Sequence, residues 1–265
     1  MMKTIKFFVI IFILIGQLQC STEKNSIVHR GFHNLHAKYN GFFNANEIIK
    51  VTYNDFLKTR KENYNLILDV DSYKVSHFKQ YPPNTKKLYA YIEARKLNNQ
   101  ELVFFGLQAF IKKYLLNPIT QSDIDEAENF LTEHMGVFNR DDWEYVLKKY
   151  DGFLPIEIKS VDEGTVTKTT LPLLEVTNTD EKLPWLVTYI ETALLRSIWY
   201  PTSVATISRE IKKIIARYLS ETTENFEEQL PFKLHDFGAR GVSSYESSRI
   251  GGAAHLLNFV GSDTV

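Results

Sequence analysis

The sequence has almost no cysteine and almost no net charge. Cys20 is its single cysteine among 265 residues, which excludes a fold held together by disulfides within the chain. The formal net charge is −1, so no chain-wide field attracts nucleic acid or an anionic membrane surface, and we expect no nucleic-acid partner. Hydrophobic residues make up 44% of the chain, enough for one large core or two modest ones.

The chain also lacks a long apolar run at its N-terminus. Nine apolar residues, Phe7–Ile15, follow Lys3 and Lys6, and Cys20 comes shortly after them. This run is too short to cross a bilayer but suits a signal peptide, and the cysteine resembles a bacterial lipoprotein attachment site. Gln19 stands where such sites have a small residue. We interpret residues 1–20 as a signal-peptide-like segment, and a membrane is a partner only if that segment is genuine.

Residues 21–62 form a polar segment of different character, which we interpret as a linker. His29, His33 and His36 would share one side of a helix, a geometry that a metal could use. No carboxylate or thiol joins them and Gly31 weakens the helix, so we predict no metal site here. The stretch HNLHAKYNGFFNANE resembles the mature start of lipoproteins from gliding bacteria, but no 34-residue repeat follows it.

From Tyr64 onward, strand and helix patterns mix, which predicts an α/β or α+β fold. The spacing of apolar residues predicts strands at Leu66–Val70, Leu88–Arg95, Ile156–Val161 and Thr165–Val176. It predicts helices at Val103–Tyr114, Ser122–His134, Asp141–Tyr150, Leu183–Trp199 and Ser203–Leu219, the last two separated by Pro201. The last helix carries an apolar stripe of Val204, Ile207, Ile211, Ile214, Ile215 and Tyr218.

The stretch KLHDFGARGVSS, residues Lys233–Ser244, combines features of a ligand-binding turn. Lys233–Phe237 can end a strand, and the two following glycines permit close approach of a ligand to the backbone. Ser243 with Glu246 fits a capping box that would begin a helix running to about Asn258. A helix N-terminus favours an anion, and the guanidinium of Arg240 suits phosphate.

Two other interpretations of this turn have to be weighed. It can be an ordinary connection into a well-capped helix, with a surface arginine, because glycine-rich turns are weak signals. Asp236-Phe237-Gly238 also occurs in protein kinases, but the chain has no kinase-like catalytic loop and no phosphate loop with a strand lysine. The kinase interpretation is therefore excluded, and the structural one stays open at this point.

Five ordered stretches give the body of the chain a family resemblance. From about Asn63 to the end it resembles the nicotinamide phosphoribosyltransferase family. The resemblance implies an N-terminal α/β domain, residues 63–180, leading at residues 181–265 into an incomplete α/β barrel of the type II phosphoribosyltransferase kind. It also implies a cytoplasmic homodimer with shared active sites. The stretches are DSYKVSHFKQYPPNT, YDGFLPIEIKSVDEG, WYPTSVATISRE, KLHDFGARGVSS and HLLNFVGSDTV.

The resemblance implies a nicotinamide site built from three side chains. Phe237 would stack on one face of the pyridine ring, and Tyr73 of the second subunit would stack on the other. Asp263 would accept a hydrogen bond from the carboxamide, which favours nicotinamide over nicotinate. Taken singly, each of these residues has an ordinary structural interpretation, and only the joint match supports the site.

The remaining substrate-binding residues implied by the resemblance are Arg240, Arg95 and Asp71. Arg240 would lie near the ring and the phosphate groups, and Arg95 would reach phosphate in the neighbouring subunit's site. Asp71 belongs to the same DSYK stretch as Tyr73. The sequence departs from the family at Ala239 and Ser262, where the family has tyrosine and threonine, and these changes should loosen packing near the site.

The implied reaction is attack of the pyridine nitrogen on phosphoribosyl pyrophosphate, with Mg²⁺ on the leaving pyrophosphate. The family continues beyond Val265 with its phosphoribosyl-binding residues. We therefore expect a truncated and chimeric reading frame that is inactive alone, since an export signal conflicts with cytoplasmic substrates. Two alternatives are a membrane-tethered module that binds nicotinamide without catalysis, and a gliding or secretion lipoprotein whose first forty residues define its function.

Overall fold

A computed structural model describes residues 64–95 and 101–264. The expectations for the signal-like segment, Cys20, the three linker histidines and the linker itself lie outside these residues. Within the described ranges, none of the helices combines the length and the apolarity needed to span a membrane.

The core is built on a three-stranded antiparallel sheet. Strand β5, Pro172–Asn178, lies between β1, Tyr89–Glu93, and β3, Ile156–Ser160. Leu174 and Val176 of β5 are buried, whereas the side chains of alternate residues in β1 face outward, as the sequence pattern predicts. These strand predictions are confirmed, and the fold mixes helix and strand as expected.

A second, two-stranded sheet corrects two predictions. It pairs β2, Glu101–Val103, with β4, Val166–Lys168, in antiparallel register. The single strand predicted over Thr165–Val176 is in fact β4 and β5, because a turn closed by Leu171 N–H donating to the Lys168 carbonyl separates them. Val103, predicted to begin a helix, lies in β2.

The strand predicted at Leu66–Val70 is wrong, although Leu66 and Ile67 are buried as predicted. Leu66–Leu68 is a 3-10 turn, because the Asn65 side chain accepts a hydrogen bond from the Ile67 N–H at 3.0 Å. The Asn65 amide also donates to the Asp123 carbonyl at 2.9 Å, which fixes the turn against a neighbouring helix. A second 3-10 segment, Ser72–Lys79, carries Tyr73.

Three α-helices lie between β2 and β3. Helix α1, Leu107–Phe110, continues as a π-helical turn over Ile111–Leu115. Helix α2, Gln121–Met135, begins at a capping box between Thr120 and Asp123. Helix α3, Arg140–Tyr150, ends where Asp151 takes a left-handed φ of 52°. The predicted helices at Ser122 and Asp141 are confirmed to within one residue.

Pro201 does not separate two helices. A short helix α4, Leu186–Tyr189, precedes α5, which runs unbroken from Glu191 to Thr222 with Pro201 buried inside it. A Cβ atom at Gly106 would lie 2.5 Å from Pro201 Cγ and 2.5 Å from the Ser197 carbonyl oxygen. The Ser197 carbonyl has no helical hydrogen-bond donor, because Pro201 has no N–H. The close packing of Gly106 stabilises the helix at this point.

Most of the apolar stripe of α5 points away from the described core, although Val204 packs against Val103 and Ala254. Ile207, Ile214 and Tyr218 are between 53% and 58% exposed. The face that packs on β2 is made of small and hydroxyl-bearing residues instead, and Thr206 Oγ1 accepts the Val103 N–H at 3.0 Å. Periodicity placed the stripe correctly on one side of the helix but could not tell which side meets the sheets.

The last elements carry the candidate site. Helix α6, Phe226–Gln229, leads through a 3-10 turn at Leu230–Phe232 to the segment around Phe237. Helix α7 spans Tyr245–His255 and packs on α5. The chain then turns back toward Asp236.

We predict that Gly106→Ala is more destabilising than Gly136→Ala. Both glycines have positive φ, 116° and 68°, so each substitution carries a left-handed backbone cost of about 1 kcal/mol. A Cβ atom at residue 136 meets nothing within 4 Å, whereas one at residue 106 overlaps Pro201 and Ser197. We expect Gly106→Ala to lower the free energy of unfolding by about 3 kcal/mol in urea titrations followed by tryptophan fluorescence. Equal losses in the two variants would contradict the role given to this contact.

Candidate functional site

One parallel bridge brings together two distant parts of the chain. Asp236 pairs with Ser262, and the Asp263 N–H donates to the Asp236 carbonyl at 2.9 Å. The strand end predicted at Lys233–Phe237 is therefore a single bridge, with no continuing ladder among the described residues. This bridge places Phe237 and Asp263 side by side on the two segments.

Three side chains form a continuous exposed group at the bridge, which we call the ring–carboxylate cluster: His235, Phe237 and Asp263. The Phe237 side chain is 63% exposed, and its ring is inclined by 25° to the His235 ring with centroids 6.4 Å apart. His235 Nδ1 lies 3.1 Å from Asp263 Oδ2. The phenyl ring is thus on the surface beside the carboxylate, where a flat ligand bearing an amide could reach both.

His235 was missed by the sequence reasoning. The signal was present, because residues two apart in an extended stretch point to the same side, and His235 stands two residues before Phe237. A lone histidine carries little weight without knowledge of its partner, and its partner lies on the other segment.

The turn after Phe237 differs in detail from the prediction. Gly238–Gly241 is a 3-10 turn, held by the Gly238 N–H donating to Asp236 Oδ1 at 2.7 Å. Arg240 is exposed on this turn. The turn therefore exposes Arg240 to solvent three residues after Phe237.

The predicted capping box between Ser243 and Glu246 is wrong. Ser244 is the N-cap of α7, and its hydroxyl oxygen accepts the Ser247 N–H at 3.1 Å. Glu246 turns away to accept hydrogen bonds from Lys113 at 2.8 Å and Tyr114 at 2.7 Å. Burial alone would raise the pKa of Glu246, but these two donors bring it below its usual value. The glutamate ties α7 to the π-helical turn instead of capping its own helix.

Glycines let helix α7 and the two segments pack closely. A Cβ atom at Gly252 would lie 3.2 Å from Thr264 Cγ2, and one at Gly251 would lie 2.7 Å from the Tyr200 hydroxyl. Burial and the nearby negative charge of Asp236 raise the pKa of the Tyr200 hydroxyl. A Cβ atom at Gly261 would lie between 2.5 and 2.8 Å from the His235 ring. The imidazole therefore rests directly on the backbone of residue 261.

The other predicted site residues lie elsewhere in the described part of the chain. Tyr73 is 56% exposed, and its ring packs 5.5 Å from that of His77. Asp71 Oδ2 accepts a hydrogen bond from Thr192 Oγ1 at 2.7 Å, and Arg95 is exposed just after β1. Among the described residues, no hydrogen bond or ring contact joins these three to the ring–carboxylate cluster.

The Tyr73 segment is anchored to the start of α5. The buried Lys74 ammonium pairs with Glu191 at 2.5 Å, and it lies 5.3 Å from the Tyr73 ring centroid. With the Asp71–Thr192 hydrogen bond, this pair fixes the 3-10 segment on the helix. The Tyr73 ring is therefore held in an exposed position, available to another molecule.

Comparison with known proteins identifies two matching family models. Residues 65–158 match the N-terminal domain of nicotinamide phosphoribosyltransferase. Residues 232–265, which contain the ring–carboxylate cluster, match the nicotinate phosphoribosyltransferase (NAPRTase) family. The family resemblance seen in the sequence is confirmed by these matches.

Two relatives carry the same description. The chain is 47% identical over 201 residues to the nicotinamide phosphoribosyltransferase of Xanthomonas campestris pv. campestris, covering 76% of this chain and 43% of the relative. It is 32% identical over 214 residues to that of Acinetobacter baylyi, covering 74% of this chain and 42% of the relative. The chain thus spans less than half the length of either relative.

A solved structure supports the fold. The crystal structure of human nicotinic acid phosphoribosyltransferase superposes with a TM-score of 0.52 at 18% sequence identity, covering 72% of this chain and 35% of that one. The mixed helix-and-strand fold class expected from the sequence is confirmed.

We predict that Gly261→Ala displaces the His235 ring from Asp263. The added methyl group would occupy the space of the imidazole, whereas the matched change Gly241→Ala adds a methyl group that meets nothing within 4 Å. The imidazole resonances of His235 in ¹H–¹⁵N NMR spectra should shift in the first variant and stay in place in the second. Unchanged resonances in Gly261→Ala would show that the contact does not hold the ring.

Proposed function

We propose that this chain is the front part of a nicotinamide phosphoribosyltransferase. Such an enzyme transfers the phosphoribosyl group of phosphoribosyl pyrophosphate to nicotinamide, giving nicotinamide mononucleotide and pyrophosphate. The observation that carries the proposal is the ring–carboxylate cluster, an exposed phenyl ring beside a carboxylate in a region that matches the NAPRTase family. The relatives' description supplies the amide as the form of the base.

The cluster has the chemistry needed to bind a pyridine carboxamide. One face of the pyridine ring would stack on Phe237, which contributes about 0.5–1.5 kcal/mol beyond the buried area. Asp263 Oδ2 is engaged by His235, and within the described residues Oδ1 has no hydrogen-bond partner, so it can accept the amide N–H. The carboxylate of nicotinate would meet the negative charge of Asp263 instead of a hydrogen bond. The site therefore favours the amide.

The second half of the site would come from another subunit. Tyr73 lies outward on an anchored segment and makes no contact with Phe237 in its own protomer, which fits a homodimer in which Tyr73 covers the second face of the bound ring. In the same arrangement Arg95 and Asp71 would reach the neighbouring site, and Arg240 would face the phosphate groups. Such an enzyme would act in the cytoplasm, where both substrates are made.

Mg²⁺ enters this proposal with phosphoribosyl pyrophosphate. Among the described residues, no group of three histidine, cysteine, aspartate or glutamate side chains comes together to hold a metal ion. These residues do not supply a metal site, and we assign the ion no step that depends on them. The contribution of this part of the chain is to bind the base and orient its ring nitrogen.

Nicotinamide binding tests the proposal directly. We expect Phe237→Ala to weaken binding of nicotinamide by about 2–12-fold, the loss of one stacked face. Phe130→Ala is the matched control, since it removes a phenyl group that is 58% exposed on α2. Isothermal titration of the purified 265-residue chain, or ligand-observed NMR if binding is weak, provides the measurement. Equal weakening in both variants, or in neither, would remove the stacking role of Phe237.

Selectivity provides a second test. We predict that Asp263→Asn reduces the preference for nicotinamide over nicotinate, because the neutral amide no longer repels the nicotinate carboxylate. The ratio of the two dissociation constants should fall by about tenfold, the size of one charge-assisted hydrogen bond. A preference that stays the same in Asp263→Asn would place amide recognition elsewhere.

A further inference from the structure

A buried histidine lies directly beneath the ring–carboxylate cluster. His255, the last residue of α7, is 3% exposed. Its Nδ1 atom lies 2.9 Å from Ser208 Oγ on α5. Its Nε2 atom lies 3.2 Å from the Leu234 carbonyl oxygen and 3.1 Å from the Gly261 carbonyl oxygen. One imidazole thus contacts both segments that carry the site.

The partners of His255 decide which nitrogen bears the proton. Carbonyl oxygens only accept hydrogen bonds, so Nε2 carries the hydrogen and shares it between Leu234 and Gly261. In the neutral ring, Nδ1 is then the acceptor for the Ser208 hydroxyl. A single N–H therefore bridges the residue before His235 and the residue two before Asp263.

The shared N–H of His255 matters because strand pairing between the two segments is limited to one bridge in the described ranges. Their other backbone hydrogen bonds run from the Asp263 N–H to the Asp236 carbonyl and from the Val260 N–H to the Pro231 carbonyl. The side-chain contacts of His235 with Asp263 and with the backbone of Gly261 lie on the exposed side. A single bridge is weaker than a continued ladder, so a buried group that contacts both segments adds to their fixed spacing.

Helix α5 provides the support behind His255. The Asn258 amide donates to the Ala205 carbonyl at 2.9 Å, and Lys212 donates to the Asn258 carbonyl. The His255 ring also stacks on Phe259, with centroids 5.1 Å apart and planes 12° apart. These contacts fix the imidazole to the helix, so that it holds the two segments against a rigid element.

We propose that His255 is a positioning residue for nicotinamide recognition. Through its shared N–H it sets the distance between the Phe237 ring and the Asp263 carboxylate, and so sets the affinity and amide selectivity of the site. This inference rests on the proposed function for its ligand. The physical tie itself does not depend on that ligand.

Two substitutions separate positioning from stability. In His255→Gln the side-chain amide nitrogen reaches about as far as Nε2 and can donate to both carbonyl groups. In His255→Asn the amide reaches only as far as Nδ1, so the link to the segments is lost. Both variants lose the ring stacking on Phe259, and Phe259→Leu serves as a control that removes stacking while keeping the hydrogen bonds. We expect all three to lower Tm.

The expected results differ between the variants in binding and in hydrogen exchange. His255→Asn should weaken nicotinamide binding by about tenfold and abolish protection of the Asp263 amide. His255→Gln and Phe259→Leu should stay within about threefold of the unmodified chain and keep that protection. Affinity that falls in step with Tm across all three variants would overturn the proposal and leave His255 a purely structural residue.

Two further measurements test the role of His255 if a variant does not fold or if nicotinamide does not bind. If His255→Asn does not fold, ¹⁵N NMR of the unmodified chain still reports the tautomer, and a proton on Nδ1 in place of Nε2 would overturn the proposal. If the unmodified chain binds no nicotinamide, the proposed function fails. Exchange of the Asp263 amide in His255→Asn still decides whether the tie exists.

Discussion

The candidate site depends on the pairing of Asp236 with Ser262. The two segments are far apart in the chain, and this bridge places an exposed phenyl ring and a carboxylate within reach of one small ligand. A bridge without a ladder has little stability of its own, so its surroundings must hold it. Helix α7 and α5 do so through close glycine packing on one side and the buried imidazole on the other.

The exposure of the ring–carboxylate cluster follows from the same arrangement. Phe237 is 63% exposed, so its ring is accessible to a ligand or to another chain. The His235 ring lies 6.4 Å from the Phe237 ring, centroid to centroid, and its Nδ1 atom is 3.1 Å from Asp263 Oδ2. The carboxylate is therefore oriented before any ligand arrives, which lowers the entropic cost of binding.

How much of this was visible in the sequence depended on whether the signal was local. The helices at Ser122 and Asp141 were predicted within a residue because their apolar spacing and their end signals are set by residues close together in the sequence. Leu66–Leu68 was mistaken for a strand because a short apolar run is compatible with both a strand and a helical turn. The hydrogen bond of the Asn65 side chain selects the turn. The helix cap was predicted at Ser243 but lies at Ser244. Glu246 accepts hydrogen bonds from Lys113 and Tyr114, which are far away in the sequence, instead of completing a capping box. Phe237, Arg240 and Asp263 came from family resemblance, whereas His235 and His255 required knowledge of contacts across the fold.

The close packing of Gly106 against Pro201 has a consequence for the position of the candidate site. A proline ring and an exposed carbonyl form an irregular notch on an otherwise uniform helix, and only a residue without a side chain fits it. Helix α5 therefore cannot slide along its axis relative to β2 without losing this fit. The same helix carries Ser208 and Ala205, which hold His255 and Asn258. The fit of Gly106 therefore also fixes the position of the candidate site relative to β2.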